Sequence, residues 1–250
     1  MNNIPKVIHY CWFGNNPMPE HLKMYVDNWK RLLNDYQIIE WNEKNFDVNL
    51  LPFTKEAYDA RVWAFVSDFV RLYALYHYGG VYLDTDVELI GNFDHLLNNS
   101  AFCGFESRYH LGSAVLGSEK GNKWIEDLMN YYNDMHFVKE DGTYDKTANT
   151  VYFTEITKNH YKLILNNKFQ NLKNVTIYPR DYFYPDNLYT RKLKLTKNSV
   201  AIHHWNKSWC DPKNDTYKDK IRLMMYQTFG DDITEEIYKK YWQITKKFRR

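Results

Sequence analysis

The stretch SDFVRLYALYHYGGVYLDTDVEL, residues 67–89, is the most informative part of this 250-residue chain. Its first half continues a helical pattern over 54–78, in which Ala57, Ala60, Ala64, Phe65, Phe69, Leu72 and Leu75 recur every three or four positions. Gly79-Gly80 reads as the stop, since glycine adopts the backbone angles that end a helix. Val81-Tyr82-Leu83 then starts a strand that runs into Asp84-Thr85-Asp86. Asp68 and Arg71 lie three apart on a helix and share a face. Asp84 and Asp86 lie two apart on an extended segment and point the same way. Two carboxylates at a strand end can hold a hard divalent cation and leave oxygens open for a diphosphate. Taken singly, a DxD pair is more often a solvated turn, and Asp68 with Arg71 an ordinary surface ion pair. SDxxR followed by GGxYxDxD is far more specific than either part.

On the N-terminal side, residues 6–13 read as a strand, 20–33 as a helix and 36–41 as a second strand. That order predicts a βαβ unit and a parallel sheet. On the C-terminal side, strands are expected at 101–105, 113–117, 175–179 and 200–205, with a helix near 119–134. Residues 137–170 show no clear pattern. With no repeat, low-complexity tract or linker, the whole of 1–250 reads as one α/β domain.

Composition narrows the function classes. Lys and Arg total 33 against 31 Asp and Glu, a balance that argues against a nucleic-acid partner. Aromatics make up 18% of the chain; flat rings in that number suit sugar or base stacking, although core packing accounts for most of them. Cys11, Cys103 and Cys210 are too few and too scattered for a disulfide framework or a CxxC metal pair, which fits a reducing, cytoplasmic compartment. The opening MNNIPKVIHYCWFG lacks secretory-signal features, and no apolar run is long enough for a membrane span.

The joint pattern resembles the glycosyltransferases with a DxD-containing sugar-binding region. These include the yeast initiating mannosyltransferase, bacterial capsular-polysaccharide transferases and, more distantly, the glucosyltransferase domain of large clostridial toxins. Three anchors carry the resemblance: IPKVIHYCWFG (4–14), SDFVRLYALYHYGGVYLDTDVEL (67–89) and AIHHWNKSW (201–209). The resemblance implies a GT-A fold: a single Rossmann-like domain with a mostly parallel central sheet, C-terminal helices and a nucleotide-sugar site at strand ends. It also implies hexose transfer with retention, dependent on Mn²⁺, with Mg²⁺ as the alternative ion. The donor is expected to be a UDP-sugar, with a GDP-sugar as the alternative, and the acceptor a glycan or a lipid-linked oligosaccharide. By the same resemblance, Asp86 is a direct metal ligand and Asp84 contacts ribose or a metal-bound water. Asp68 and Arg71 meet the donor sugar and diphosphate, Trp12 stacks on the base, and Tyr10 and Tyr82 join the nucleotide-sugar contacts.

In the third anchor, a strand-end imidazole can complete a Mn²⁺ shell, and the choice between His203 and His204 stays open. The toxin domain has an acidic residue and a Ser near this place, so the histidines depart from that relative. Ser208 and Trp209 are expected to close over the donor. Two other functions compete. Asp84-Thr85-Asp86-Val87 also fits the nucleophile motif of haloacid-dehalogenase-type phosphatases, with Gly230-Asp231-Asp232 imitating their distal acidic motif. A non-catalytic carbohydrate-binding scaffold would likewise use the aromatic rings. Finally, Ile233, Ile237, Tyr241, Ile244 and Phe248 form an apolar stripe among basic residues within 231–250. Such a helix either docks its stripe on the domain or makes peripheral contact with an anionic membrane.

Overall fold

The computed structural model describes residues 3–186, 190, 192–206 and 217–247. Nine strands and six α-helices are defined among the described residues: β1 (Val7–Cys11), α1 (Glu20–Leu32), β2 (Gln37–Trp41), α2 (Pro52–Asp59), α3 (Trp63–Tyr78), β3 (Gly80–Leu83), β4 (Val87–Leu89), β5 (Ala101–Gly104), β6 (Val115–Ser118), α4 (Lys123–Asn130), α5 (Asn149–Tyr161), β7 (Gln170–Leu172), β8 (Val175–Tyr178), β9 (Ala201–His203) and α6 (Tyr217–Lys247). The expected βαβ unit is present: α1 buries Leu22, Val26 and Trp29, and β1 and β2 pair in parallel. The main sheet runs β2-β1-β3-β6-β5-β8-β7. It is mixed, yet only β6 and β7 run against the other strands.

Period-two alternation sends the two sides of the sheet into different cores. Cys11 and Tyr82 pack with Phe69 and Leu72 of α3 on one face. Ile8, Tyr10, Val81 and Leu83 pack with Trp29 of α1 on the other. Trp29 is fully buried and donates its indole N–H to the Val87 carbonyl at 2.8 Å, so truncating it to Ala would cost about 3–5 kcal/mol.

The single helix expected over 54–78 is two helices. The chain breaks between α2 and α3 at Arg61, a non-glycine residue at φ 59°. Apolar spacing alone does not register such a break, because the residues on either side keep their places against the core. The stop at Gly79 is as expected: its N–H donates to the Leu75 carbonyl at 2.9 Å, with φ at 68°. Gly80 follows at φ 113°, where an added Cβ would lie 2.5 Å from the Val7 carbonyl oxygen. Only glycine lets the helix turn directly into the sheet here.

Two further expectations change. Strand β3 ends at Leu83, so Asp84-Thr85-Asp86 is a turn closed by the Val87 N–H on the Asp84 carbonyl at 3.0 Å. β9 does not join the main sheet; it pairs antiparallel with β4 and thereby lies beside the DxD turn. The unreadable region holds α5, and β7 was also missed.

Candidate active site

Helix α3 presents Asp68 and Arg71 one turn apart beneath the end of β3. The Arg71 guanidinium, with its side chain only 5% exposed, donates Nη2 to Asp68 Oδ1 at 2.8 Å and Nη1 to the Ser113 carbonyl at 2.9 Å. Nη1 also lies 3.2 Å from Asp84 Oδ1. The guanidinium sits 4.7 Å over the Tyr82 ring, and the Tyr82 hydroxyl donates to Asp84 Oδ1 at 2.9 Å. Asp84 is therefore held by a cation and a phenol.

Asp86 is held from the other side by the strand that follows 115 residues later. Asn206 donates its backbone N–H to Asp86 Oδ2 at 2.8 Å, and His203 Nε2 lies 3.3 Å from Asp86 Oδ1. Between them, Trp205 takes φ 55°, an uncommon angle for a bulky residue, and its ring lies 4.2 Å from that of His203. Ligand atoms of Asp84, Asp86 and His203 all lie within 4.8 Å of one another. His203 Nδ1 is buried with no hydrogen-bond partner. Two carboxylates and one imidazole, whose second ring nitrogen has no partner, form a donor set suited to a divalent cation.

The electrostatics follow from burial and pairing. Burial pushes the Asp68 carboxyl up to about 7, against the pull of Arg71. Burial alone would raise Asp86 as well; the facing His203 and the hydrogen bonds from His203 and the Asn206 amide outweigh it and hold Asp86 below the ordinary carboxylate value. Burial would lower His203, but Asp86 outweighs it and raises the imidazole.

Residues 19–103 match the family model described as "Glycosyltransferase sugar-binding region containing DXD motif". The match is to that sugar-binding region and takes in about a third of the chain. Inositol phosphoceramide mannosyltransferase 3 of Schizosaccharomyces pombe is 30% identical over 142 residues, covering 54% of this chain and 40% of the relative. Lactosylceramide 4-alpha-galactosyltransferase of Pan troglodytes is 23% identical over 223 residues, covering 78% of this chain and 57% of the relative. The chain thus spans about half the length of these curated relatives. Among solved structures, the PaToxG glycosyltransferase is similar at TM-score 0.46 and 17% identity, over 62% of this chain and 68% of that one.

The matched sugar-binding region supplies Asp68, Arg71, Tyr82, Asp84 and Asp86, whereas His203 comes from outside it. The two histidines face different ways, since successive residues of an extended segment point to opposite sides. His203 faces the DXD turn. His204 faces away, with Nε2 at 2.8 Å from Glu88 and its ring stacked on Tyr25 at 5.0 Å, so its expected place in the metal shell is corrected. Tyr10 is also drawn away from the cluster: it lies in the core on the opposite face of β1, its hydroxyl donating to Glu40 at 2.7 Å. Trp12 is half-buried at the end of β1, its indole N–H donating to the Asn16 carbonyl at 2.7 Å. Ser208 and Trp209 lie outside the described residues.

Two residues of the site were missed. Asn149, the first residue of α5, donates Nδ2 to Asp68 Oδ1 at 2.7 Å and accepts from the Ser113 hydroxyl at 3.0 Å. Glu106, just past β5, has its carboxyl pushed up to about 7 by burial, with His203 and a Thr150 hydrogen bond acting against the shift. An amide at a helix start and a carboxylate after a strand are commonplace, so neither stood out. Gly230 lies inside α6, so the acidic motif of the phosphatase alternative does not follow a strand.

Proposed function

We propose that this chain is a hexosyltransferase that moves a hexose from a nucleoside diphosphate sugar to a glycan or lipid-linked acceptor with retention of configuration. One observation carries the reading: the DXD carboxylates and His203 converge on one point directly beside the Asp68–Arg71–Asn149 cluster. In this reading Asp86 and His203, with Asp84, hold the divalent cation. When bound, that cation supplies positive charge against the diphosphate.

Arg71 spends its hydrogen bonds on Asp68, Asp84, Ser67 and Ser113. Its part is to orient the two carboxylates and to lend a fixed positive field to the departing diphosphate. Asp68, steadied by Asn149, is offered to a donor-sugar hydroxyl. With no second carboxylate assigned as a glycosyl nucleophile, the acceptor attacks on the face the diphosphate leaves, and a leaving-group phosphate oxygen takes its proton. Trp12 is read as the base platform, which suits a UDP-sugar, with a GDP-sugar as the alternative. The names of the two curated relatives support a lipid-linked acceptor and a mannosyl or galactosyl group. Unpaired Cys11 and Cys103 support a cytoplasmic setting.

The test is donor hydrolysis across UDP-galactose, UDP-glucose, UDP-N-acetylglucosamine and GDP-mannose, with Mn²⁺ and with chelator. One donor turned over in Mn²⁺ and not in chelator is expected, with the product anomer read by NMR. Negligible turnover of all four would favour the scaffold reading, and an inverted product would remove the retaining mechanism.

A further inference from the structure

Of the two readings of the C-terminal apolar stripe, the exposure of its residues in α6 favours the one in which it faces outward. The helix breaks at Gly230 (φ 75°, ψ 176°), and its second part is tied down by polar residues instead. Thr234 is fully buried and Glu235 is 8% exposed. Glu235 accepts the Arg108 backbone N–H at 2.7 Å and lies 4.0 Å from Arg180, while Glu236 accepts from the Tyr109 hydroxyl. In the same turns Ile233, Ile237 and Tyr241 are exposed by 55%, 41% and 58%. Their i, i+4, i+8 spacing forms one continuous apolar line, and Ile244 and Phe248 continue that spacing in the sequence. An apolar line held outward at this cost in water contact calls for a partner.

The charge around the line identifies the partner's chemistry. From Ile237 to Arg250 the chain has six Lys and Arg and no Asp or Glu, although the protein as a whole is nearly balanced. Lys240 is exposed beside the line. We propose that the second part of α6 lies flat on an anionic lipid surface, with the apolar line among the acyl chains and the basic residues at the headgroups. The anchoring loop 106–110 leads within three residues to Ser113, whose carbonyl accepts from Arg71 at 2.9 Å. Lipid contact would therefore present the site next to the membrane plane. This deepens the proposed function by naming where a lipid-linked acceptor is met.

The experiment is flotation of the full chain with vesicles of phosphatidylcholine alone, and with vesicles in which phosphatidylglycerol replaces part of it. Binding to the anionic vesicles only, weakening with added salt, is expected. The Ile237→Glu/Tyr241→Glu variant should lose about tenfold or more of that binding, with unchanged circular dichroism, melting temperature and donor hydrolysis. Should that variant unfold, Lys239→Glu/Lys240→Glu carries the test with the same expected loss. Wild-type flotation by a folded variant, or no binding by the parent chain, would overturn the proposal. So would a concentration-dependent dimer abolished by the same substitutions, since the line would then cover a second copy. Donor hydrolysis is read separately, so failure here leaves the transferase reading standing, and the converse holds.

Discussion

His203, the last residue of β9, and His204, just past it, have separate environments. One ring faces Asp86 at 3.3 Å and the other faces Glu88 at 2.8 Å. The expected outcome is that His203→Ala weakens Mn²⁺ affinity about tenfold or more, as read by electron paramagnetic resonance, whereas His204→Ala changes it by less than about twofold. Equal effects would contradict the assignment. Asn149 supports a prediction of another kind, because its amide is the second polar group on Asp68 Oδ1. Asn149→Ala should destabilise by about 1–3 kcal/mol, since it leaves a buried carboxylate short of a donor and Ser113 without its acceptor. It should also raise the donor KM, and Asn149→Asp should not rescue that change, since it sets a carboxylate against a carboxylate. An unchanged KM in a folded Asn149→Ala would assign the amide a purely structural role.

The junction between α3, β1 and β2 is fastened by a buried histidine. Trp41 Nε1–H donates to His9 Nδ1 at 3.0 Å, which leaves Nε2 as the protonated nitrogen donating to the Gly79 carbonyl at 2.8 Å. Burial lowers the imidazole from 6.5 to about 4, the Gly79 hydrogen bond opposing the shift. The neutral ring is thus favoured in the fold, while the unfolded chain takes up a proton below about 6.5. The stability this group contributes is complete above that pH and is lost as pH falls towards 4. The size of this contribution is on the order of 3 kcal/mol. Chemical denaturation at a series of pH values should show the fall, and His9→Phe should flatten it. An equal fall in the variant would move the cause elsewhere.

For the molecule as a whole, the two core clusters lie on opposite faces of one sheet and share β1 and β3. The proposal of a single domain therefore predicts one cooperative transition, with calorimetric and van't Hoff enthalpies equal. A separate low-temperature transition, assigned to α6 by a C-terminal probe, would show that the last helix unfolds on its own. The path from β5 to the anchored part of α6 through Arg108 and Glu235 argues for a joint event.

The α/β class, the βαβ unit, the Gly79-Gly80 stop and the pairing of Asp68 with Arg71 were legible because each depends on residues close in the chain. Helical spacing, strand composition and glycine at a reversal act within one turn of structure. The approach of His203 to the DXD turn, the amide on Asp68 and the half-buried Glu106 near His203 depend on contacts across 81 to 120 residues, and no local spacing encodes such a contact. The same limit applies to the C-terminal stripe. Its amphipathic pattern was plain in the sequence, but the pattern is identical whether the apolar line faces the core or the solvent. Only the tertiary contacts of Glu235 with Arg108 and of Glu236 with Tyr109 decided how the helix is seated, and with it that Ile233, Ile237 and Tyr241 are exposed, since helical spacing fixes a face and not its neighbour.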